Sequence, residues 1–402
     1  MARRTGGIVI LLGLYIHVPF CAAICSYCNF TRGVGTPELQ KQYVQALVSE
    51  IRSTAAAHLP PGSPDRFEPE SGPPVLNRAA DTIYFGGGTP SLLDPEDVAR
   101  IISACRETVA VAADCEVTLE ANPESVSDAR LAGYRAAGVN RLSLGVQSFR
   151  DDELVRLSRL HGAARARAAV GEARAAAFEN VSLDLMMWLP AQSLADWLQS
   201  IEIAIELEPD HLSLYLLEVH AHAPLRVRMA QQQWLQAPDE EAAAMYLAAL
   251  ERLDAGGLQQ YEIANVAKPG CQSRHNLKYW RDGQWLGFGS GAHSTYDGVR
   301  WHNVAAVEAY IARVMAGRSV VAQAKRLSPD EHLGDALFTG LRLTAGVELA
   351  PLQAQYGLDI WGRYGNRLAP FVDAGWLRHE GSRLTLSRDG MLVANEVMAV
   401  FV

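Results

Sequence analysis

Long apolar runs, positive charge in excess and paired cysteines are all scarce in this chain, and each scarcity excludes something. No apolar stretch approaches the ~20 residues that a membrane-crossing helix requires. The opening Met-Ala-Arg-Arg and the run Ile8-Val-Ile-Leu-Leu12 superficially resemble a secretory leader. That run passes straight into Tyr15-Ile-His-Val without a small-residue cleavage site, so it reads as a buried strand, and a cytoplasmic protein is expected. Lys and Arg number 36 against 45 Asp and Glu, a formal net charge of −9. Non-specific binding to phosphate backbones needs the opposite balance, so nucleic acid is not an expected partner. Of six cysteines, Cys105, Cys115 and Cys271 are scattered and suggest no disulfide framework. Nor is there a global signature of disorder: the 402 residues are 49% hydrophobic and 20% charged, enough for a large domain with a smaller appendage.

What is present begins with the other three cysteines. Cys21, Cys25 and Cys28 form CxxxCxxC directly after the apolar segment from Tyr15 to Phe20. A [4Fe-4S] cluster takes four thiolates, so three protein ligands leave one iron open to an exogenous molecule. Soft thiolates suit iron and sulfide, and close spacing on a loop lets three sulfurs reach separate irons. Three thiolates with one distant ligand also suit Zn²⁺, and spacing alone leaves that alternative standing.

The chain after this motif alternates strand-like and helix-like stretches. Strands are expected at 13–18, 82–86, 116–121, 141–146, 180–185 and 211–216, with helical patterns at 37–56, 95–109, 127–137, 151–160, 163–177 and 193–206. Repeated βα units imply a parallel sheet, and right-handed crossovers curl six of them into a partial (β/α)6 barrel. The proline-rich segment from Leu59 to Pro74 reads as an exposed insertion. From about Leu327 a second unit follows: helices at 329–342 and 348–356, then Trp376 to Ser387 as two strands joined by a Glu-Gly turn, then a final helix. The expected fold class is therefore α/β, with domains at 1–235 (partial barrel), 236–326 (barrel extension) and 327–402 (helical, winged-helix-like). Winged helices often bind DNA, but in so acidic a chain packing against the barrel is the better reading.

In parallel barrels the loops after the strand C-termini build the active site. Here those positions hold Gly86-Gly-Gly-Thr-Pro-Ser91, Glu120, Gln147 and Asp184, with Arg159 on a following helix. Consecutive glycines allow close backbone approach, and carboxylates and amides supply acceptors for hydroxyls and a base edge. Each is a weak signal alone, since polar residues also end strands for structural reasons, but their recurrence at one edge indicates a shared pocket.

The segments Tyr15-Ile-His-Val-Pro-Phe-Cys21, Tyr84-Phe-Gly-Gly-Gly-Thr-Pro-Ser91, Leu144-Gly-Val-Gln-Ser-Phe149 and Asp184-Leu-Met resemble the oxygen-independent coproporphyrinogen III oxidase-like family of radical S-adenosylmethionine (SAM) proteins. The resemblance implies a [4Fe-4S] cluster on Cys21, Cys25 and Cys28. It further implies SAM contacts from Tyr15, Tyr27, Gly87, Gly88, Glu120, Gln147, Arg159 and Asp184. Two branches of the family differ in activity. The true oxidase decarboxylates coproporphyrinogen III oxidatively and typically has a further cysteine two residues after the third cluster ligand; this chain has Phe30 there. The HemW-type branch consists of heme chaperones that deliver heme to heme-requiring, including respiratory, proteins. Its HNxxYW pattern stands here as His275-Asn-Leu-Lys-Tyr-Trp280, which makes His275, Tyr279 and Trp280 candidates for heme contact. Read from composition alone, the same segment is a capped turn with aromatic packing. The resemblance thus implies heme, heme-acceptor proteins and, if SAM is cleaved, an electron donor as partners. A departure is Trp188 in Asp184-Leu-Met-Met-Trp-Leu-Pro190, where many relatives have glycine; a bulky indole there is expected to narrow the site or offer a stacking surface.

Overall fold

A computed structural model describes residues 11–29, 33–57 and 76–402. The expected insertion between Leu59 and Pro74, Phe30 and the first ten residues lie outside them. Six parallel strands stand side by side in chain order: β1 (Leu12–Val18), β2 (Leu76–Gly87), β3 (Val109–Ala121), β4 (Arg141–Gln147), β5 (Asn180–Met187) and β6 (His211–Leu216). Between them run α1 (Pro37–Ala57), α2 (Pro95–Thr108), α3 (Asp128–Ala137), α4 (Asp151–Arg156), α5 (Ala163–Ala175) and α6 (Leu194–Glu206). After β6 come α7 (Pro224–Gln232) and α8 (Asp239–Ala255).

Why these strands form a lumen is visible in their alternation. Ile83 and Phe85, Val117 and Leu119, Leu142 and Leu144, and Leu183 and Leu185 occupy one face and are fully or almost fully buried. The intervening positions are polar: Thr82 and Tyr84, Thr118 and Glu120, Arg141 and Ser143, Ser182 and Asp184. A period of two sends these sets to opposite faces, so the apolar set packs on the helices while the polar set lines the barrel interior.

The sheet does not close. On one side β1 pairs in parallel with β9 (Trp285–Phe288), which follows β7 (Gln259–Glu262), β8 (Asn265–Ala267) and α9 (Arg274–Trp280). Beyond β9 the antiparallel strands β10 (His293–Tyr296), β11 (Val299–Asn303) and, after α10 (Val307–Met315), β12 (Val321–Arg326) extend the sheet. On the other side β8 adds antiparallel to β6, with β7 outside it, giving a twelve-stranded sheet. The Gly287-to-Gly291 stretch supplies the end of β9 and the turn after it. A side chain at Gly287 would meet the His293 carbonyl 2.2 Å away, so the strand passage itself demands glycine.

The C-terminal unit contains α11 (Pro329–Gly340), β13 (Val347–Glu348), α12 (Leu349–Tyr356), α13 (Ile360–Asp373), β14 (Leu377–Glu380) and β15 (Arg383–Leu386), followed by the short α14 (Arg388–Leu392) and α15 (Ala394–Met398). The order β13-β15-β14 makes a three-stranded antiparallel sheet beside the helices, with Gly381 at φ 62° in the hairpin turn. The unit docks on the extension through buried groups. Arg342 reaches Glu262 at 3.1 Å, and its carbonyl and the Thr344 N–H bond the backbone of Ile263 and Tyr261.

Candidate functional site

At the C-terminal ends of the barrel strands lies a cavity of about 380 Å³, bordered by Cys21, Cys25 and Cys28 on one side and by Gly87, Gly88, Glu120, Gln147 and Asp184 on the other. Tyr27, Arg159, Asn122, Ser143, Tyr215 and His220 complete the wall. Chain order alone brings these residues together, because each strand of a parallel barrel delivers its last inward residue to the same rim.

Backbone bonds tie the cysteine loop to its neighbours. Cys21 N–H donates to the Gly33 carbonyl at 3.0 Å, and the Thr89 N–H donates to Phe20 O at 2.7 Å. Gly88 N–H bonds Val18 O at 2.8 Å, and a Cβ on Gly88 would lie 2.6 Å from Phe20 O. The glycine-rich turn therefore clasps the cysteine loop. Its N–H groups at 87, 88 and 89 are all engaged within the protein.

Among the described residues, no three His, Cys, Asp or Glu side chains converge closely enough to hold a single metal ion. The three thiols instead border the cavity together, all free of disulfide. A zinc ion needs its sulfurs about 2.3 Å from one common point. Ligands to separate irons of a cluster share no such point, so this donor set suits the cluster better.

Glu120 is held by the Tyr84 hydroxyl at 2.7 Å and by the Gly87 N–H at 3.2 Å. Burial pushes its carboxyl up to about 7, with the Tyr84 and Gly87 bonds working against the shift. Asp184, whose carboxylate accepts from the Ser143 hydroxyl at 3.2 Å, is likewise raised by burial. Arg159 donates to Asn122 Oδ1 at 2.6 Å and the Gly145 carbonyl at 2.8 Å, and its NH1 lies 3.6 Å from Cys25 Sγ. Burial opposes its charge, but Tyr27, Cys25 and Glu124 outweigh that and hold the guanidinium ionised. Gln147 sits at φ 67° where the β4–β5 register slips, a bulge that turns its side chain toward the cavity.

Tyr15 is placed differently from the other expected SAM contacts. Its ring stacks on Tyr84 at 6.2 Å and its hydroxyl meets His17 Nδ1 at 3.1 Å, below the cavity rather than at its wall. His275 lies deeper still. Its Nδ1 is 2.8 Å from Thr82 Oγ1, its Nε2 is 2.9 Å from the Tyr279 hydroxyl, and the residue is 1% exposed. Burial drives it down to about 3, so the ring is neutral. Trp280 lies under Arg342, whose guanidinium carbon is 4.4 Å from the ring centroid. None of the three HNxxYW candidates borders the cysteine cavity. Trp188 does not enter it either. At φ 61° its indole turns away and donates to the Ala237 carbonyl at 2.7 Å, which corrects the expectation of a narrowed site.

Sequence reasoning did not single out Asn122, Ser143 or Tyr215. Asn122 carried a signal, since Asn-Pro directly after a strand marks a turn at the same rim. His220 is contributed by the loop after β6 and meets Asn29 Nδ2 at 2.7 Å, a contact across most of the barrel that no local pattern encodes.

Comparison with known proteins agrees with this geometry. Residues 15–204 match the radical SAM superfamily, and residues 327–393 match the HemN C-terminal domain. The chain is 34% identical to the heme chaperone HemW of Bacillus subtilis over 388 residues, spanning 96% of this chain and 98% of that one. It is 36% identical to the HemW of Mycobacterium tuberculosis over 395 residues, covering 96% and 93%. The mitochondrial radical S-adenosyl methionine domain-containing protein 1 of Bos taurus is 35% identical over 401 residues, covering 96% and 86%. Among solved structures, coproporphyrinogen III oxidase (HemN) from Escherichia coli superposes with a TM-score of 0.81 at 23% identity, over 98% of this chain and 90% of that one, which establishes the shared fold. With relatives this similar matched across almost their entire length, the chain belongs to the HemW heme chaperone family of radical SAM proteins.

Proposed function

We propose that this protein binds heme and passes it to heme-requiring proteins, using a barrel that also holds a [4Fe-4S] cluster and SAM. The observation that carries this reading is the match to HemW heme chaperones over 96% of the chain, through both the barrel and the C-terminal unit. Cys21, Cys25 and Cys28 would ligate the cluster, leaving one iron for SAM. When bound, that pair supplies a reductively cleavable sulfonium. Glu120, Asp184 and Gln147 offer acceptors along the opposite wall, and Arg159 places a fixed positive charge beside Cys25.

Heme is cargo in this reading, and the barrel mouth is the face we assign to it. The cavity opens there, and Tyr215 and Leu216 at the end of β6 remain 45% and 47% exposed, as does Ile24 of the cysteine loop at 52%. Large apolar side chains left open around one rim suit a flat apolar macrocycle. His275 would reach an iron only after giving up a hydrogen bond on the nitrogen it used. Phe30 supports the chaperone over the oxidase, because it cannot supply the additional thiol. The heme acceptors we propose are heme-requiring proteins, respiratory enzymes among them, met in the cytoplasm.

The test is anaerobic. Reconstituted protein with SAM is titrated with heme by absorbance while coproporphyrinogen consumption is followed by chromatography in the same sample. Stoichiometric heme binding without turnover is expected, whereas protoporphyrinogen formation without stable heme binding would replace the chaperone by an oxidase.

A further inference from the structure

We propose that His275, within HNxxYW, is a positioning residue of the SAM pocket: its ring props Tyr84, and Tyr84 in turn sets the Glu120 carboxylate. This rests on the reading that the cysteine cavity holds SAM.

The argument follows a continuous series of contacts from the C-terminal unit to the cavity wall. α9, which carries the motif, begins with Ser273 as its cap, and the N–H groups of Arg274 and His275 donate to the two oxygens of Glu116, at 3.1 and 3.2 Å. Glu116 is an inward residue at the lower part of β3, so a carboxylate of the barrel strand anchors the first turn of this helix. The helix is thereby fixed beneath the lumen with His275 pointing into it.

There the imidazole is held in every direction. Thr82 engages Nδ1 and Tyr279 engages Nε2. The ring stacks on Tyr84 with centroids 5.1 Å apart and planes inclined by 26°, and Tyr15 stacks on Tyr84 at 6.2 Å and 23°. The β1 residue facing the histidine is Gly13, where a Cβ would stand 3.0 Å from His275 Cε1. The strand has given up a side chain to the space the imidazole fills. A fit made by both sides describes a permanent component of the wall, and burial keeps the ring uncharged, so it works through shape and hydrogen bonding.

Tyr84 transmits this placement upward. Its hydroxyl donates to Glu120 Oε1 at 2.7 Å, and Glu120 borders the cavity. Downward, Tyr279 packs edge-on against Trp285 of β9 at 4.7 Å, and Trp280 lies under Arg342 of the C-terminal unit. The three named residues of HNxxYW thus each face a different neighbour: the lumen, the sheet extension and the C-terminal unit.

The experiment uses full-length reconstituted protein and measures SAM affinity by equilibrium binding and heme affinity by absorbance titration, with iron content and circular dichroism recorded for each variant. Tyr84→Phe keeps the stack but removes the bond to Glu120, and His275→Phe keeps a ring but removes its bonds to Thr82 and Tyr279. His275→Ala removes the prop entirely. The expected result is a loss of SAM affinity of about tenfold in His275→Ala and in Tyr84→Phe, the scale of one hydrogen bond to a charged group. His275→Phe should recover part of the loss, the His275→Ala/Tyr84→Phe double variant should lose less than the two singles combined, and heme affinity should stay within twofold. The proposal is overturned if His275→Ala or His275→Phe loses heme affinity while binding SAM as the parent does, or if the double variant is additive. Should His275→Ala not fold, the His275→Phe and Tyr84→Phe variants and their double decide by the same criteria. Parent protein that binds SAM but no heme refutes the chaperone reading and leaves the SAM comparison to decide this one.

Discussion

Replacing Arg342 by methionine should loosen the seam between the C-terminal unit and the barrel extension, by an amount that follows from what the guanidinium touches. Its partner Glu262 is 0% exposed and keeps only neutral donors, Ala264 N–H and Asn265 Nδ2, once the arginine is gone. Breaking a buried pair costs about 3–5 kcal/mol. Because the arginine side chain itself is 24% exposed, water screens part of this, and about 2–3 kcal/mol is the better figure for the ion pair. Loss of the cation over Trp280 adds about 1 kcal/mol. The effect depends on pH in a fixed direction. Burial already raises the Glu262 carboxyl, and Arg342 is the largest influence holding it down. A carboxyl raised in the folded state contributes its stability below its unfolded value, near 4.5, and loses it as pH climbs through the folded value. Without Arg342 the folded value moves higher, so the variant's deficit should grow as pH climbs above the unfolded value near 4.5. Calorimetric melting at rising pH, with limited proteolysis to report release of the C-terminal unit, measures it. Glu262→Gln combined with Arg342→Met should regain most of the loss, since no charge is left buried. The reasoning is refuted if Arg342→Met melts with the parent at the alkaline end, or if the double variant is less stable than the single.

Three other outcomes are expected. Glu50→Ala leaves the Gly289 N–H, the Asn303 amide and the Tyr310 hydroxyl without their common acceptor, a loss of about 3–5 kcal/mol. Burial pushes this carboxyl up to about 7, so the gap to the parent should be widest below about pH 4.5, narrow as pH rises from there to about 7 and level off above it, which melting curves would show. Glu120→Gln should weaken SAM binding by at least about tenfold with iron content unchanged, since the carboxylate lines the cavity and is not one of the three thiolates assigned to the cluster; a variant that binds SAM normally would remove Glu120 from the site. Trp188→Gly relieves a left-handed backbone worth about 1–2 kcal/mol and forfeits the indole bond to Ala237, so stability should change by less than about 1.5 kcal/mol and SAM affinity by less than twofold.

The six barrel strands were legible because each is a short apolar run bounded by turn residues, and the predicted starts at Arg141, Asn180 and His211 coincide with the observed ones. β2 and β3 run longer than expected, since Leu76 through Ala80 pairs with Val109 through Val111, a partnership between segments with no apolar periodicity of their own. The extension strands β7 to β12 were not recognised. They are three to six residues long, mix glycine, histidine and charged residues, and become strands only because β1 and β6 each have an open edge to fill. In the C-terminal unit the Glu-Gly hairpin was plain, whereas α13 was not expected at all, its helical pattern being interrupted by Gly362, Gly365 and Pro370. At the site, residues at strand ends could be foreseen from the geometry of parallel barrels. The placement of His275 could not, because its bond to Thr82 joins positions 193 residues apart and depends on a helix that enters the lumen from below.

The pairing of β1 with β9 bears on how this protein is made. Gly13 through Ile16 carry the cysteine loop at their far end, yet one edge of their strand is satisfied only by Trp285 through Phe288. At ribosomal speeds of about 5–20 residues per second, the nascent chain waits roughly 15–50 s between those two segments. During that interval β1 presents an unpaired edge, the kind of surface that templates association between chains, while three thiols hang from it. Synthesis of this protein is therefore most vulnerable early and long, and slower translation or scarce chaperones should lower the yield of cluster-loaded protein before they affect any property of the finished fold.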